Sequence, residues 1–74
     1  MKTISDLSKR VVENNESAIN LINKAEESLQ TNNPDYVYID TLLQLAQYNQ
    51  QIASEYTFLM RQRFVLELKT QRGN

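Results

Sequence analysis

Apolar residues in the first part of the chain recur every three or four positions, which is the spacing of one face of a helix. On a wheel of ~100° per residue, one arc of ~60° contains Ile4, Leu7, Val11, Ala18, Ile22, Ala25 and Leu29. No Gly or Pro interrupts this segment. We therefore predict a first helix over residues 4–30, whose apolar stripe belongs to the intramolecular core.

Two asparagines, Asn14 and Asn15, stand where this stripe should carry an apolar side chain. A solvated or locally hydrogen-bonded gap explains them. Alternatively, an Asn held against a partner helix fixes the register of the pair at a cost in stability. The sequence leaves both interpretations open.

The second half of the chain is apolar around more of the helix circumference. One row contains Tyr38, Leu42, Leu45, Ile52, Tyr56 and Leu59. A second row, displaced by ~90° on the same wheel, contains Ile39, Leu43, Ala46, Ala53, Met60, Phe64 and Leu68. We predict a second helix over residues 34–69. The pattern does not decide which row packs on the first helix; we assign the first row to the core and the second to a partner.

The strongest break in the helical pattern is the tripeptide Asn33-Pro34-Asp35. Asn33 can cap a helix, Pro34 suits the first helical position, and Asp35 suits the positive end of the helix dipole. The predicted fold is therefore all-α: one domain over residues 1–74, built as a coiled-coil-like, two-helix antiparallel hairpin with a bend at 31–34.

The outer ends of the two helices carry weaker signals. The segment from Thr3 to Asp6 approximates a capping box, with Asp where Glu or Gln is preferred. Gly73 is a candidate C-terminal cap.

The two predicted helices differ in how much apolar surface they carry. A helix pair buries roughly one seam on each member, so the first helix can cover only one row of the second. About five or six uncovered large side chains represent on the order of 10 kcal/mol of unrealised burial at ~25 cal/mol per Å². We therefore expect self-association or a protein partner. Two aromatic residues that project away from the core row, Tyr48 and Phe58, join the predicted partner-binding set.

The residue inventory argues against an enzyme. The sequence has no Cys and no His, which removes common metal ligands, the thiolate nucleophile and the proton shuttle of neutral pH. A single Gly, Gly73, excludes a Gly-rich phosphate loop, and the adjacent Glu26 and Glu27 point ~100° apart on a helix. We expect no catalytic residue, no metal site and no cofactor.

The formal net charge is only −1, but the charges are segregated along the chain. Residues 1–10, which include Lys2, and residues 56–74 are net basic, whereas residues 11–55 are net acidic. An antiparallel hairpin brings the basic ends together and places the acidic residues at the bend. Domains that bind nucleic acid usually carry a net positive charge, which argues against nucleic acid as the partner.

No segment suggests export or membrane insertion. The first ten residues lack the apolar run of ~7–15 residues that a signal peptide needs. The longest apolar runs, at 58–60 and 64–66, are far shorter than the ~18–20 residues that span a bilayer. We expect a cytoplasmic protein without a membrane span.

Residues 18–59 combine the segments 19–22 and 25–29, a polar bend, a Tyr early in the second helix (Tyr36 or Tyr38), and the segment 42–52. This layout resembles the needle cochaperones of bacterial type III secretion systems. The resemblance implies a non-enzymatic cytosolic protein that docks through its hairpin on a larger TPR-like chaperone. In that role it helps to keep the needle subunit from polymerising.

Needle subunits are similar to the chain in two other features, an Asn-Pro bend and a Ser-Glu-Tyr tripeptide, here Ser54-Glu55-Tyr56. In that family the tripeptide follows the Pro more closely, and the chain end is apolar rather than Arg-rich. A self-assembling needle-like or phage structural subunit is therefore the alternative to a cochaperone. A nucleic-acid-binding dimer of hairpins comes after it.

Overall fold

The computed structural model describes residues 3–72, so Lys2 and the predicted cap Gly73 lie outside the described residues. The described chain forms two α-helices, α1 (Ile4–Leu29) and α2 (Tyr36–Arg72). The short connection over residues 30–35 lets α2 return alongside α1, in a molecule 65 Å long and 18 by 14 Å across. The fold is an all-α helical hairpin, as the sequence predicts.

The helix α1 begins with the predicted capping box. The Thr3 hydroxyl Oγ1 accepts a hydrogen bond from the Asp6 backbone N–H at 3.1 Å, and Asp6 Oδ2 accepts one from the Thr3 N–H at 3.1 Å. These bonds satisfy backbone donors that the first turn of a helix leaves unpaired. Asp6 therefore takes the part that Glu or Gln usually plays.

The end of α1 is closed by hydrogen bonds from the bend. The Gln30 N–H donates to the Glu27 carbonyl at 3.2 Å, and the Thr31 hydroxyl donates to the Ser28 carbonyl at 2.9 Å. Both acceptors belong to the last turn, where carbonyls lack helical partners. The bend thus stabilises α1 without a glycine.

The start of α2 differs from the prediction. The helix begins at Tyr36, and the capping residue is Asp35 rather than Asn33: Asp35 Oδ1 accepts a hydrogen bond from the Tyr38 N–H at 3.1 Å. Asn and Asp are both good capping residues, but Asp also carries a negative charge that the positive end of the helix dipole stabilises. Pro34 consequently lies outside the helix, in the bend.

One seam of small and apolar side chains joins the helices. On α1, buried and half-buried side chains alternate at spacings of three and four: Ile4, Leu7, Val11, Asn14, Ala18, Leu21, Ala25 and Ser28. On α2, the same spacing connects Ile39, Leu42, Ala46, Asn49, Ala53, Tyr56, Met60 and Arg63. These are the a and d positions of a heptad repeat, so the hairpin is an antiparallel two-stranded coiled coil.

Alanine dominates the buried part of this seam. The buried apolar side chains of the described chain are Leu7, Ala18, Ala25, Ile39, Leu42, Ala46 and Ala53. Each alanine among them is only 2–3% exposed. Small side chains let helices approach toward the short end of the usual ~8–10 Å separation. The seam is therefore tight, but it encloses little apolar surface.

A cluster near the bend fixes how the two helices align. Ala25 packs with Ile39 and Leu42, and the half-buried Leu21 lies against them. Because the helices run in opposite directions, each heptad toward the start of α1 is matched by one toward the end of α2. Residues that face each other across the seam, such as Ala25 and Leu42, therefore have numbers whose sum is nearly constant.

The same alignment leaves the end of α2 without a neighbour from α1. Helix α2 has 37 residues and α1 has 26, and the alignment brings Ile4 to the level of Arg63. Helix α2 then continues to Arg72, past the predicted end at residue 69. Its last turns carry the exposed side chains Phe64 and Leu66.

Two asparagines of the seam are satisfied by their own helices. Asn14 Nδ2 donates to the Arg10 carbonyl at 2.8 Å, and Asn49 Nδ2 donates to the Leu45 carbonyl at 3.2 Å. Both side chains are half-buried, whereas Asn15 is exposed. Of the two interpretations of the break in the apolar stripe, the structure matches the locally hydrogen-bonded gap.

The cap of α2 can be tested with neighbouring substitutions. We expect Asp35→Ala to lower the free energy of unfolding by about 1 kcal/mol, because the Tyr38 N–H loses its acceptor. The control Asn33→Ala, in the exposed bend, should change it by no more than a few tenths of a kcal/mol. Urea unfolding followed by far-ultraviolet circular dichroism measures both. A larger loss for Asn33→Ala would contradict the assignment of Asp35 as the cap.

Candidate protein-binding surfaces

The structure buries part of the core that the sequence predicts. The buried members are Leu7, Ala18, Ala25 and Leu42. The half-buried members are Ile4, Val11, Ile52 and Tyr56. The remaining members are 39–49% exposed: Ile22, Leu29, Leu45 and Leu59. The prediction that these last residues lie in the core was wrong.

The row that was predicted to face a partner is divided between the seam and the surface. Buried in the seam are Ile39, Ala46 and Ala53, and the half-buried Met60 continues their line. Exposed by 45–62% are Leu43, Tyr48, Phe58 and Phe64. The placement of Ile39, Ala46, Ala53 and Met60 on a partner-binding face is therefore corrected, because these side chains face α1.

The two rows were misjudged because a straight-helix wheel does not follow a heptad seam. A seam repeats every 3.5 residues, and an ideal helix drifts by ~20° per heptad relative to it. Over the 25 positions from Ile39 to Phe64 this drift is enough to separate residues that share a row on the wheel. The small side chains of α1 also select the row of α2 that contains alanine, because only that row allows close approach.

A row of apolar side chains at heptad spacing lies on α2 beside the seam. We call it the outer stripe: Tyr38, Leu45, Ile52, Leu59 and Leu66. Its members recur every seven residues and span ~42 Å of helix. All are 42–62% exposed except Ile52, which is half-buried. On the same flank of the seam, the heptad places the polar residues Arg10, Ser17 and Lys24 of α1, which leave the outer stripe uncovered.

A second apolar surface lies on the opposite flank of the seam, near the bend. We call it the bend patch: Ile22 and Leu29 from α1, with Tyr36 and Leu43 from α2. These side chains are 39–69% exposed. The exposed carboxylates of Glu26 and Asp40 occupy the heptad positions next to this flank. The bend patch is thus an apolar surface with an acidic rim.

The hairpin separates charge along its length. The bend end carries the exposed acidic residues Glu26, Glu27, Asp35 and Asp40. The opposite, free end carries the basic residues Lys9, Arg10, Arg61, Arg63 and Lys69.

Ion pairs between neighbouring turns do not cancel this separation. Arg10 and Glu13 approach to 3.6 Å, and Arg63 and Glu67 approach to 3.5 Å. Both pairs lie within a single helix, and exposed pairs of this kind contribute little to stability. The free end therefore keeps an excess of basic groups that a negatively charged surface can meet.

The described residues contain neither a metal-binding cluster nor a membrane-spanning helix. Over residues 3–72, no group of three or more His, Cys, Asp or Glu side chains is placed to hold a metal ion. Neither described helix is long and apolar enough to cross a membrane. The two apolar surfaces, the outer stripe and the bend patch, are therefore the candidate binding sites.

Comparisons with protein-family models, with curated proteins and with solved structures find no match to this chain.

Some residues of these surfaces were missed by the sequence reading. Leu66 completes the outer stripe, Leu21 packs on the core cluster, and Ile19 is 57% exposed on α1. A count in strict steps of seven from Leu45 finds Leu66. Asn14 and Asn49 interrupt the seam itself, so the apolar pattern of the sequence does not reveal the heptad repeat from which the stripe is counted.

The corrected rows make a direct prediction about stability. We expect Leu42→Ala to lower the free energy of unfolding by about 2–4 kcal/mol, because Leu42 is only 5% exposed and its removal leaves a cavity. The matched variant Leu45→Ala, at a site that is 47% exposed, should lower it by less than about 1 kcal/mol in dilute protein. Urea unfolding measures both. Equal losses, or a larger loss for Leu45→Ala, would return Leu45 to the core.

Proposed function

We propose that the chain is a non-enzymatic protein–protein interaction module. The carrying observation is the imbalance between enclosed and exposed apolar side chains. Most of the buried side chains are alanines, whereas large side chains along both flanks of the seam stay 39–69% exposed. Monomeric proteins seldom leave contiguous apolar areas of this kind uncovered, and binding to another protein removes them from water.

The proposed role is that of a cochaperone in a type III secretion system, one that helps to hold the needle subunit unpolymerised. The resemblance in layout to needle cochaperones supports it: a hairpin of this length with a polar bend and an early Tyr in the second helix. In this role the partner is a larger, helical, TPR-like chaperone. The cochaperone contributes an apolar surface and performs no chemistry.

The bend patch is the proposed docking surface for this partner. It draws Leu29 and Ile22 from α1 and Leu43 and Tyr36 from α2, so it exists only when the hairpin is folded. Its acidic rim favours a partner groove that is apolar at its centre and bordered by Lys or Arg. Tyr36, which is 69% exposed, offers the large amphipathic side chain that interface centres favour.

The proposal is tested by copurification from the native cell followed by titration of the recovered partner. The tagged chain should copurify with a helical chaperone-like protein in a defined ratio. We expect Leu43→Glu to weaken that complex by at least about tenfold, because a carboxylate would enter the apolar centre of the patch. The control Gln50→Glu introduces the same charge one heptad further along the same row.

The outcome is read from the difference between these two variants. A normal complex with Gln50→Glu and a weakened one with Leu43→Glu, both with unchanged helix content, support the proposal. Equal binding by the two variants would show that the bend patch is not the docking surface. Recovery of no stoichiometric protein partner would contradict the interaction module itself.

A further inference from the structure

The outer stripe has a symmetry that the bend patch lacks. Ile52 is its centre, with Leu45 and Leu59 one heptad to either side and Tyr38 and Leu66 two heptads away. A two-fold rotation perpendicular to α2 at Ile52 therefore lays the stripe on a copy of itself, with Leu45 facing Leu59. Such a self-complementary patch is the signature of an isologous dimer interface.

From this arrangement we infer that the outer stripe binds the outer stripe of a second copy of the chain, with the two α2 helices antiparallel. The product is a dimer in the form of a four-helix bundle. This inference goes beyond the proposed function, because it concerns the other flank of the hairpin and leaves the bend patch of each copy free.

Charge separation favours the antiparallel arrangement over the parallel one. A two-fold rotation at Ile52 brings the acidic bend end of each hairpin beside the basic free end of the other. At this alignment Lys69 of one copy lies at the level of Asp35 in the second copy. A parallel arrangement would instead place acidic bend beside acidic bend. Complementary potentials of this kind set the orientation of an association.

The α1 side of the same flank adds contact area without blocking the approach. Ser17 is small and lies at the level of Ile52. Arg10 and Lys24 stand on either side of it, and both are exposed. Their aliphatic stems can cover apolar surface while the charged groups turn to water. In the dimer, Arg10 of one copy faces Lys24 of the other. These like charges approach each other only through the tips of side chains that water surrounds.

The size of the surface also fits a stable dimer. A contact ~42 Å long on a helix ~10 Å wide amounts to roughly 400 Å² on α2. The flank of α1 from Arg10 to Lys24 is ~21 Å long and adds roughly 200 Å², which brings the total to about 600 Å² per partner, the lower end of the range for stable interfaces. For a hairpin with an accessible surface of 5990 Å², this is about the tenth of the surface that small proteins bury on association.

Single cysteines test the dimer and its direction, because the natural sequence contains no Cys. A thiol crosslinker much shorter than ~21 Å is used, the distance that an antiparallel dimer sets between Leu45 of one copy and Leu45 of the other. We expect Ile52→Cys to crosslink to itself. A mixture of Leu45→Cys and Leu59→Cys should form the mixed product, whereas Leu45→Cys alone should not. The control is Gln51→Cys, exposed on a different face.

Each result either supports or overturns the inference. Self-crosslinking of Leu45→Cys as strong as that of the mixture would indicate parallel helices, and equal crosslinking of Gln51→Cys would indicate unspecific aggregation; both overturn it. A wild-type chain that sediments as a monomer at high concentration overturns it as well. The proposed function is tested separately, by the binding of the Leu43→Glu variant to the partner. A monomeric wild-type chain would therefore overturn the dimer without deciding the proposed function.

Sedimentation of stripe variants gives an independent measurement. We expect Leu45→Gln with Leu59→Gln to weaken dimerisation by at least about tenfold, because each copy loses two large apolar contacts. The control Leu43→Gln, on the opposite flank, should leave the dimer unchanged. An unchanged dimer in the double variant would overturn the inference even if crosslinks form.

Discussion

The close packing of alanines against the opposite helix along one heptad seam is the constraint on which this structure depends. Ala18 and Ala25 on α1 and Ala46 and Ala53 on α2 are nearly fully buried. They let the helices approach, and they decide which face of each helix points inward. Because methyl groups enclose little area, the same contact leaves the larger side chains outside. The tight seam and the exposed leucines thus have the same cause: the helices meet through the faces that carry the alanines.

This choice of face explains how a hairpin with a thin core can present two different surfaces. Residues immediately beside a heptad seam lie on one of its two flanks. On one flank, α2 offers a straight row of large apolar side chains, and α1 offers polar ones. On the other, apolar residues from both helices meet only near the bend. The first surface is long and symmetric about Ile52, and the second is compact, acidic at its rim and asymmetric.

Much of the fold could be predicted from the sequence, because its signals are local. The capping box at Thr3 and Asp6 and the polar bend around Pro34 mark helix ends through neighbouring residues. The two-helix hairpin follows from them. The capping residue of α2 was misplaced by two positions, since Asn33 and Asp35 are both good caps and only their surroundings distinguish them.

The surfaces were harder to predict, because they depend on how one helix fits the other. The wheel puts Leu45 and Leu59 in the row assigned to the core, and Ala46 and Ala53 in the row assigned to a partner. Size predicts how much a residue gains from burial, but the distance between two helices depends on the small residues of both. A wheel drawn for a single straight helix contains neither that distance nor the slow drift of a supercoil.

The most direct test of this account is the set of methyl contacts across the seam, measured by nuclear Overhauser effects in protein labelled at Ala, Leu and Ile methyl groups. This seam predicts contacts between the Ala25 methyl and the methyls of Leu42 and Ile39, with none from Leu45 to Ala25. Contacts from Leu45 to Ala25 in place of those from Ile39 would contradict it, since the helices would then meet through the opposite row.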